Sequence, residues 1–162
     1  MGVISGGVVV QPGRVLVQEA VFSYTQGAAA GTYTASVTVP GGSWLLDIKL
    51  FNETAWNAGT NALMDVGDVA DPNGWFAAVD VKATDLVAGA NAEVIDFNNA
   101  GGKGGAYHDA TTGERAEMYS DSARVVTGVI TTTGTDSTAG ETRMLVMYTD
   151  PCIPTQATYA AT

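Results

Sequence analysis

The sequence predicts an all-β protein that folds as one domain, either a β-sandwich or a jelly roll. Hydrophobic residues make up 46% of its 162 residues and charged residues only 15%, so Thr, Ser, Asn and Gly must supply much of the polar surface. This composition favours strands and turns over solvated helices, which depend on Glu and Lys. No window of a dozen residues repeats its apolar positions at the helical spacing of about 3.6.

The first strand-like patterns lie in the N-terminal third of the chain. The run RVLVQEAVFSYTQ, residues 14–26, is rich in β-branched and aromatic residues and follows a Pro-Gly turn. We expect residues 1–20 to form an N-terminal arm or an edge strand. Residues 31–40, GTYTASVTVP, alternate small polar with larger side chains, which predicts one face in water and one in a core. The run SWLLDIKLFNE, residues 43–53, follows a second glycine turn, so these two runs are predicted to pair as a hairpin.

Further strand-like runs follow, separated by Gly-rich or Asn-rich turns. They occupy residues 63–69, 75–83, 92–98, 124–133 and 143–149. The chain has no internal repeat and no linker, so residues 21–150 are predicted to form a single sandwich of about nine short strands. Residues 151–162 are expected to form a C-terminal tail.

The stretch DVADPNGWF, residues 68–76, fits either a tight turn or part of a calcium-binding loop. Four residues suit successive positions of a type I turn that closes with a G1 bulge: Asp71, Pro72, Asn73 and Gly74. Gly74 is expected at positive φ. The calcium loop would need a carboxylate at Val69 and usually a Glu at Asp80. The turn is therefore the preferred interpretation.

Charge and cysteine content exclude several classes of protein. Seventeen acidic and seven basic residues give a formal charge of −10, so the surface should repel nucleic acids and anionic membranes. The opening MGVISGGVVV has no positively charged segment, and no apolar run reaches about 18 residues, so we expect a soluble protein made in the cytoplasm. Cys152 is the single cysteine, which excludes an internal disulfide and a cysteine-based zinc cluster.

Candidates for catalysis are few. The loop NAGGKGGAYH, residues 99–108, has the glycines and lysine of a phosphate cradle, but Gly104 stands where the Walker pattern needs Ser or Thr. His108 is the only histidine, so no multi-histidine metal site can form. A carboxylate pair of the kind that glycosidases use would be drawn from three residues: Asp65, Asp68 and Asp80. With so many acids, chance proximity is expected, and we predict no enzymatic activity, cofactor or metal.

The three tryptophans differ in their expected exposure. Trp44 and Trp75 fall on the apolar faces of their strands and are expected in the core. Trp56 lies in the loop TAWNAGTN and is predicted to be an exposed aromatic that contacts a partner or a sugar. Asn52, in the sequon Asn-Glu-Thr, is interpreted as a strand end entering a loop.

Five segments together carry a family resemblance: FSYTQGAAAGTYTASVTVP, LLDIKLFNETAWNAGTNALMDVGD, GWFAAVDVKATDL, GERAEMYSDSARVVTGVITTTGT and GETRMLVMY. In their order along residues 22–149 they resemble a group of small virion proteins encoded in the structural modules of tailed bacteriophages. The resemblance lies in the order of these segments along the chain and includes no catalytic motif. It implies a β-rich virion component, with a capsid decoration or cement protein as the preferred assignment.

That assignment carries expectations about partners and location. The resemblance implies a homotrimer on the outer surface of the capsid, bound to the major capsid protein after synthesis in the host cytoplasm. The N-terminal segment, with its β-prone run Val8, Val9 and Val10, is expected to be an anchoring arm that adds a strand to a neighbour. Two alternatives stay open: a neck, tail or fibre-associated virion protein, and a carbohydrate-binding module that uses Trp56.

We expect chelators to leave the melting temperature unchanged, because the acidic loop lacks the first ligand of a calcium site at Val69. The measurement is a thermal melt with EDTA and with millimolar calcium. A rise of several degrees on adding calcium would contradict the turn-only interpretation, since a ligand that binds only the native state raises its stability.

Overall fold

Alternating small polar and β-branched side chains produce extended strands along most of this chain. The computed structural model describes residues 14–26, 31–82, 95–97, 105–108 and 115–151. Within them lie eight strands and one short 3₁₀ turn at Tyr24–Gln26. The strands are β1 (Val15–Ser23), β2 (Thr32–Val39), β3 (Ser43–Thr54), β4 (Asn61–Gly67), β5 (Phe76–Asp80), β6 (Tyr119–Ser120), β7 (Arg124–Thr133) and β8 (Glu141–Thr149).

The strands form two four-stranded antiparallel sheets, ordered β1-β8-β3-β6 and β2-β7-β4-β5. Strand β1 therefore pairs with β8, β2 with β7, β3 with β6, and β4 with β5. This is the pairing of one long antiparallel hairpin rolled into a sandwich, which defines a jelly roll. The predicted all-β sandwich is confirmed, and its strand order is that of the jelly roll.

The predicted hairpin between residues 31–40 and 43–53 is wrong. These runs form β2 and β3, which lie in different sheets, and the turn after Val39 carries the chain across the sandwich. Each strand has an apolar face, and placing the two strands in opposite sheets lets both faces contribute to one core.

The core lies between the sheets and contains large side chains from both of them. The largest fully buried ones include Phe22, Ile48, Met64, Ile130, Met144 and Tyr148. Gly128 in the middle of β7 leaves space for this packing, because a Cβ there would lie 2.5 Å from Phe22 Cζ and 2.7 Å from Met64 Cε. A glycine that weakens a strand interior is retained where another side chain approaches the backbone closely.

A β-bulge in β3 shifts the predicted alternation of side chains. Leu45 pairs with Tyr148 and Asp47 with Met147, so the strand holds an extra residue at this point. After the bulge Ile48 points into the core, and before it Leu45 does, whereas Trp44 faces outward. The prediction that Trp44 lies on the apolar face of this strand is therefore wrong, since a bulge moves every preceding side chain to the other face.

A second bulge has the same effect in β5. Two steps along β4, from Met64 to Val66, correspond to three steps along β5, from Val79 to Phe76. Ala78 adopts a positive φ of 54° there, and Asp65 Oδ1 accepts a hydrogen bond from Ala78 N at 2.8 Å. Phe76 is consequently buried with Val79, although unbroken alternation would place them on opposite faces.

A buried chain of polar groups joins the two sheets at one end of the sandwich. Trp56 Nε1 donates to Thr142 Oγ1 at 2.8 Å, and Thr142 Oγ1 donates to Asn52 Oδ1 at 2.6 Å. Asn52 Nδ2 then donates to the carbonyl of Val81 at 2.9 Å. Because Asn52 and Thr142 are fully buried, these bonds replace those that water would otherwise supply.

The structure describes only part of the predicted N-terminal segment. Residues 15–20, the last part of the predicted arm or edge strand, belong to β1, which lies at the edge of its sheet. Residues 1–13 and 152–162 lie outside the described residues, so the arm and the C-terminal tail stay predictions.

We expect Asn52→Ala to lower the free energy of unfolding by about 2–4 kcal/mol, because it leaves Thr142 and the Val81 carbonyl without their buried partner. Thr54→Ala, on the exposed end of the same strand, is the matched control and should stay within about 0.5 kcal/mol of the unaltered protein. Denaturant unfolding measures both. Equal effects of the two substitutions would show that the buried chain contributes no particular stability.

Candidate functional site

The predicted turn at residues 71–74 lies between β4 and β5. Gly74 N donates to Asp71 O at 3.1 Å, which is the i to i+3 bond of a β-turn, and Asp68 N donates to the same carbonyl at 3.0 Å. Asp68 Oδ1 accepts from Ala70 N at 2.9 Å and from Asp71 N at 3.1 Å. Asp68 is therefore a structural residue whose side chain holds Ala70 and Asp71 where the chain enters the turn, as in an Asx turn.

Gly74 has a different reason to be glycine from the one the sequence suggests. The φ of Gly74 is not positive, so the predicted G1 bulge at this position is wrong. Instead, a Cβ on Gly74 would lie 2.3 Å from Cδ2 of Tyr107, whose ring packs directly against the turn. The requirement for glycine comes from close approach of another segment and not from the turn conformation.

Tyr107 links this turn to a later part of the chain. Its hydroxyl donates to Asp68 Oδ1 at 3.2 Å, its backbone N donates to Gly74 O at 2.7 Å, and its ring lies 5.3 Å from that of Trp75. Loss of solvent around the hydroxyl and the neighbouring Asp68 carboxylate raise the pKa of Tyr107 above its ordinary value. The hydroxyl thus stays protonated at neutral pH and remains a donor.

The structure reverses the predicted exposure of two tryptophans. Trp56 is only 2% exposed and its ring lies 4.5 Å from that of Tyr33, so its predicted role as an exposed partner-binding aromatic is wrong. The indole is held inside by its bond to Thr142 and by Gly140, where a Cβ would approach within 2.4 Å of the ring. Trp44, predicted in the core, is 49% exposed. The carbohydrate-binding hypothesis thereby loses the aromatic on which it depended.

The residues considered for catalysis and metal binding bond to the backbone or pack against aromatic rings. Asp65 and Asp80 each accept a backbone N–H bond, from Ala78 at 2.8 Å and from Lys82 at 2.9 Å respectively. His108 is buried against the rings of Phe76 and Phe97. Within the described residues, no three His, Cys, Asp or Glu side chains are grouped to hold a metal.

The remaining features that the sequence singled out are the sequon at Asn52, Lys103, Cys152 and the N-terminal valines. The side chain of Asn52 is buried, which closes the sequon to a glycosyl group. Lys103, Cys152 and the run Val8, Val9 and Val10 lie outside the described residues. The part of the chain that the structure describes contains no helix with the length and apolarity to span a membrane.

A cavity of about 340 Å³ opens at the end of the sandwich opposite the buried Asn52 chain. The β4–β5 turn and the β6–β7 connection form its walls. Its lining residues are Asp68, Val69, Glu117, Ser120, Ala123, Arg124 and Val125. At the same end of the sandwich, the exposed rings of Trp44 and Tyr119 contact each other with centroids 5.1 Å apart. We call Trp44, Val69, Tyr119, Arg124 and Val125 the end surface.

Arg124 is the central side chain of the end surface. It begins β7 at an inward-facing position, and its guanidinium carbon lies 5.3 Å from the centroid of the Trp75 ring. Nη1 donates to the carbonyl of Glu117. The buried Nε and Nη2 atoms have no hydrogen-bond partner among the described residues. Burial lowers the pKa of Arg124 from its ordinary value, whereas Asp68 and Glu117 act in the opposite direction.

Sequence patterns could have identified part of the end surface. The run RVVTGVITT places Arg124 on the same face as Val126 and Ile130, so a charged side chain at the inner end of a buried face was visible in the alternation. Trp44 and Tyr119 gave no such signal, because their contact depends on the pairing of β3 with the two-residue strand β6.

We expect Gly74→Ala to lower the free energy of unfolding by about 1–3 kcal/mol, because the added methyl group overlaps the Tyr107 ring. In a Tyr107→Ala background the same substitution should cost less than about 1 kcal/mol, since its steric partner is gone. Denaturant unfolding of the four proteins in this double-mutant cycle measures the coupling. An unchanged cost in the Tyr107→Ala background would point to backbone strain at Gly74 instead.

Comparison with known proteins finds similarity in structure alone. No protein-family model matches the sequence, and no curated protein matches it either. One similar chain comes from the acidic stable capsid structure of Helicobacter pylori bacteriophage KHP30, with a TM-score of 0.52 and 16% identity over 85% of this chain and 88% of that chain. Another comes from the capsid asymmetric unit of cyanophage Pam1, with a TM-score of 0.49 and 21% identity over 93% of each chain. At 16% identity, the KHP30 likeness shows a shared fold.

Proposed function

We propose that this protein is a structural component of a bacteriophage virion that binds the outside of the capsid shell and stabilises it, as decoration or cement proteins do. One observation carries the proposal: the fold matches a chain of the KHP30 capsid structure over 85% of this protein. Jelly rolls are a recurrent architecture of viral capsid domains. The segment order that resembles small virion proteins of tailed phages supports the same assignment.

The chemistry of the described residues is compatible with a structural role. The acidic residues considered for catalysis hold turns and bulges, and the buried chain of Trp56, Thr142 and Asn52 joins the two sheets. A protein that only binds a shell needs a stable scaffold and an exposed contact surface. The end surface supplies exposed apolar and aromatic side chains of the kind that interfaces use.

Assembly as a homotrimer on the major capsid protein fits this role. A symmetric oligomer repeats one weak contact several times, so the shell is bound more tightly than by a single copy. An arm formed by residues preceding β1, with Val8, Val9 and Val10, would add a strand to the exposed sheet edge of a neighbour. Since β1 begins at Val15, a truncation that tests the arm must end at residue 13 to leave the sheet intact.

We expect virions of the phage that encodes this chain to carry on the order of hundreds of copies, as a shell-covering trimer requires. Quantitative mass spectrometry of purified particles measures the copy number.

Light scattering should give the mass of a trimer for the recombinant protein, and deletion of residues 1–13 should weaken its sedimentation with undecorated capsids. A count of about a dozen or fewer, or a monomer without affinity for capsids, would move the assignment to the neck, tail or fibre.

A further inference from the structure

We propose that residues 15–19, the first half of β1, form the site at which a second copy of this chain adds its residues 8–10 as an extra strand. We call residues 15–19 the β1 edge. The inference deepens the proposed function, on which it rests for the homotrimer that such an exchange would hold together. Its basis is a row of outward-directed backbone groups on an exposed and regular edge strand.

The ladder between β1 and β8 shows which backbone groups of β1 point away from β8. Asp150 N donates to Arg14 O at 2.8 Å, so Arg14 directs its backbone groups to the β8 side. Bonded and non-bonded pairs alternate along an antiparallel ladder, so Val15, Val17 and Glu19 direct their N–H and C=O groups to the opposite side. Among the described residues, β1 is the end strand of its sheet and pairs with β8 alone.

The second half of β1 has a partner for its outward carbonyl, which the β1 edge lacks. By the same alternation the carbonyl of Val21 points away from β8, and Gln26 Nε2 donates to it at 3.0 Å. The Gln26 side chain thus closes the edge at this point. Among the described residues, the outward backbone groups of the β1 edge have no such bond, so they are available to a further strand.

Neither face of the β1 edge is fully covered. On the outer face, Val15 and Val17 are 55% and 54% exposed. Gln18 is exposed as well, although it shares the inner face of the strand with the buried Phe22. A strand added here would therefore cover two apolar side chains in addition to forming main-chain hydrogen bonds.

The β1 edge lacks the features that usually prevent a sheet edge from pairing. It contains no Pro and no Lys, and β1 pairs with β8 from Val15 to Ser23 without a bulge. Its one charged side chain, Glu19, is paired with Arg143 at 2.7 Å. An exposed edge without these features is a template for pairing with another strand.

The residues that precede β1 supply a strand of suitable chemistry. Val8, Val9 and Val10 are three successive β-branched residues, and no side chain among residues 1–13 is charged. A chain with a formal charge of −10 can bring this segment to a second copy without adding side-chain repulsion. Fully extended, a segment of this length would span about 43 Å, which is enough to reach a neighbouring copy.

The Pro-Gly pair between this segment and β1 favours exchange over folding back. A tight hairpin onto the same chain would place Pro12 first and Gly13 second in a two-residue turn. The hairpin turns of types I′ and II′ need a positive φ at the first position, whereas proline fixes φ near −65°. Types I and II, which Pro12 allows, splay the two strands. The edge of a second copy imposes no such restriction, and a heterologous contact of this kind closes into a ring in a trimer.

The first test blocks the accepting edge of the full chain. Val17→Pro removes an N–H that points away from β8, so the ladder within the sheet is retained. We expect it to raise the concentration needed for trimer formation at least about tenfold, as light scattering measures. Val17→Thr is the matched control, because it keeps the N–H and a β-branched side chain, and it should change this concentration less than about twofold. A Val17→Pro protein that forms trimers like the unaltered chain would overturn the inference.

The second test blocks the donated strand and then recombines the two variants. Val8→Pro together with Val9→Pro is the arm variant, in which one of two adjacent residues must lose an N–H directed to the edge. Its changes lie outside the described sheet, so it keeps the β1 edge. The arm variant and Val17→Pro should each be monomeric and should form a 1:1 complex when mixed, since one keeps the edge and the other the arm. Assembly of the arm variant alone, or a mixture without a complex, would contradict the exchange.

Hydrogen exchange examines the edge directly and identifies pairing within one chain. In the unaltered trimer, the amides of Val15, Val17 and Glu19 should exchange at least about tenfold more slowly than in the arm variant. Equal rates in the two proteins would show that the β1 edge accepts no strand. Slow exchange at these amides in an unaltered protein that is monomeric would mean that the segment folds back on its own β1, which also overturns the inference.

Sedimentation with undecorated capsids tests the proposed function separately. If the unaltered chain exchanges strands but does not bind capsids, the inference stands and the proposed function fails. If Val17→Pro and the unaltered chain assemble alike and both bind capsids, the inference fails and the proposed function stands. Thermal melts of each variant establish that lost assembly does not come from unfolding.

Discussion

The hydrogen-bonded chain from Trp56 through Thr142 to Asn52 fixes how the two sheets lie on each other. It ends on the carbonyl of Val81, which follows β5 in the opposite sheet, at the end where the β1–β2, β3–β4 and β7–β8 connections cross between sheets. These groups are buried, so a displaced sheet would leave donors and acceptors unpaired. Apolar side chains alone tolerate small shifts in packing, whereas a buried polar network is satisfied in one arrangement.

Two β-bulges determine which side chains reach the surface from this fixed framework. The bulge in β3 places Leu45 and Ile48 in the core and leaves Trp44 outside, where it meets Tyr119. The bulge in β5 buries Phe76 and is stabilised by Asp65. Each bulge therefore keeps large apolar residues in the core while it turns a neighbouring side chain toward the other face of the sheet.

The buried Asn52 chain and the Arg124 side chain lie at opposite ends of the sandwich. At one end each member of the Asn52 chain has a hydrogen-bond partner. At the other, Arg124 keeps two buried donors without an acceptor among the described residues, beside exposed valines and aromatic rings. The first arrangement stabilises the fold, whereas the second leaves buried donors that cost stability.

The sequence by itself determined the strand-rich composition, the alternation of β2 and the residues of the turn between β4 and β5, because these depend on neighbours within a few positions. Tertiary structure decided the rest. Trp56 is buried because Thr142 and Tyr33 reach it from distant strands, and Gly74 must be glycine because Tyr107 packs on it. Period-two alternation assigns faces only until a bulge interrupts it, and a bulge arises from pairing with a partner strand that local sequence does not identify. The cavity at Arg124 likewise exists only where turns far apart in the chain come together.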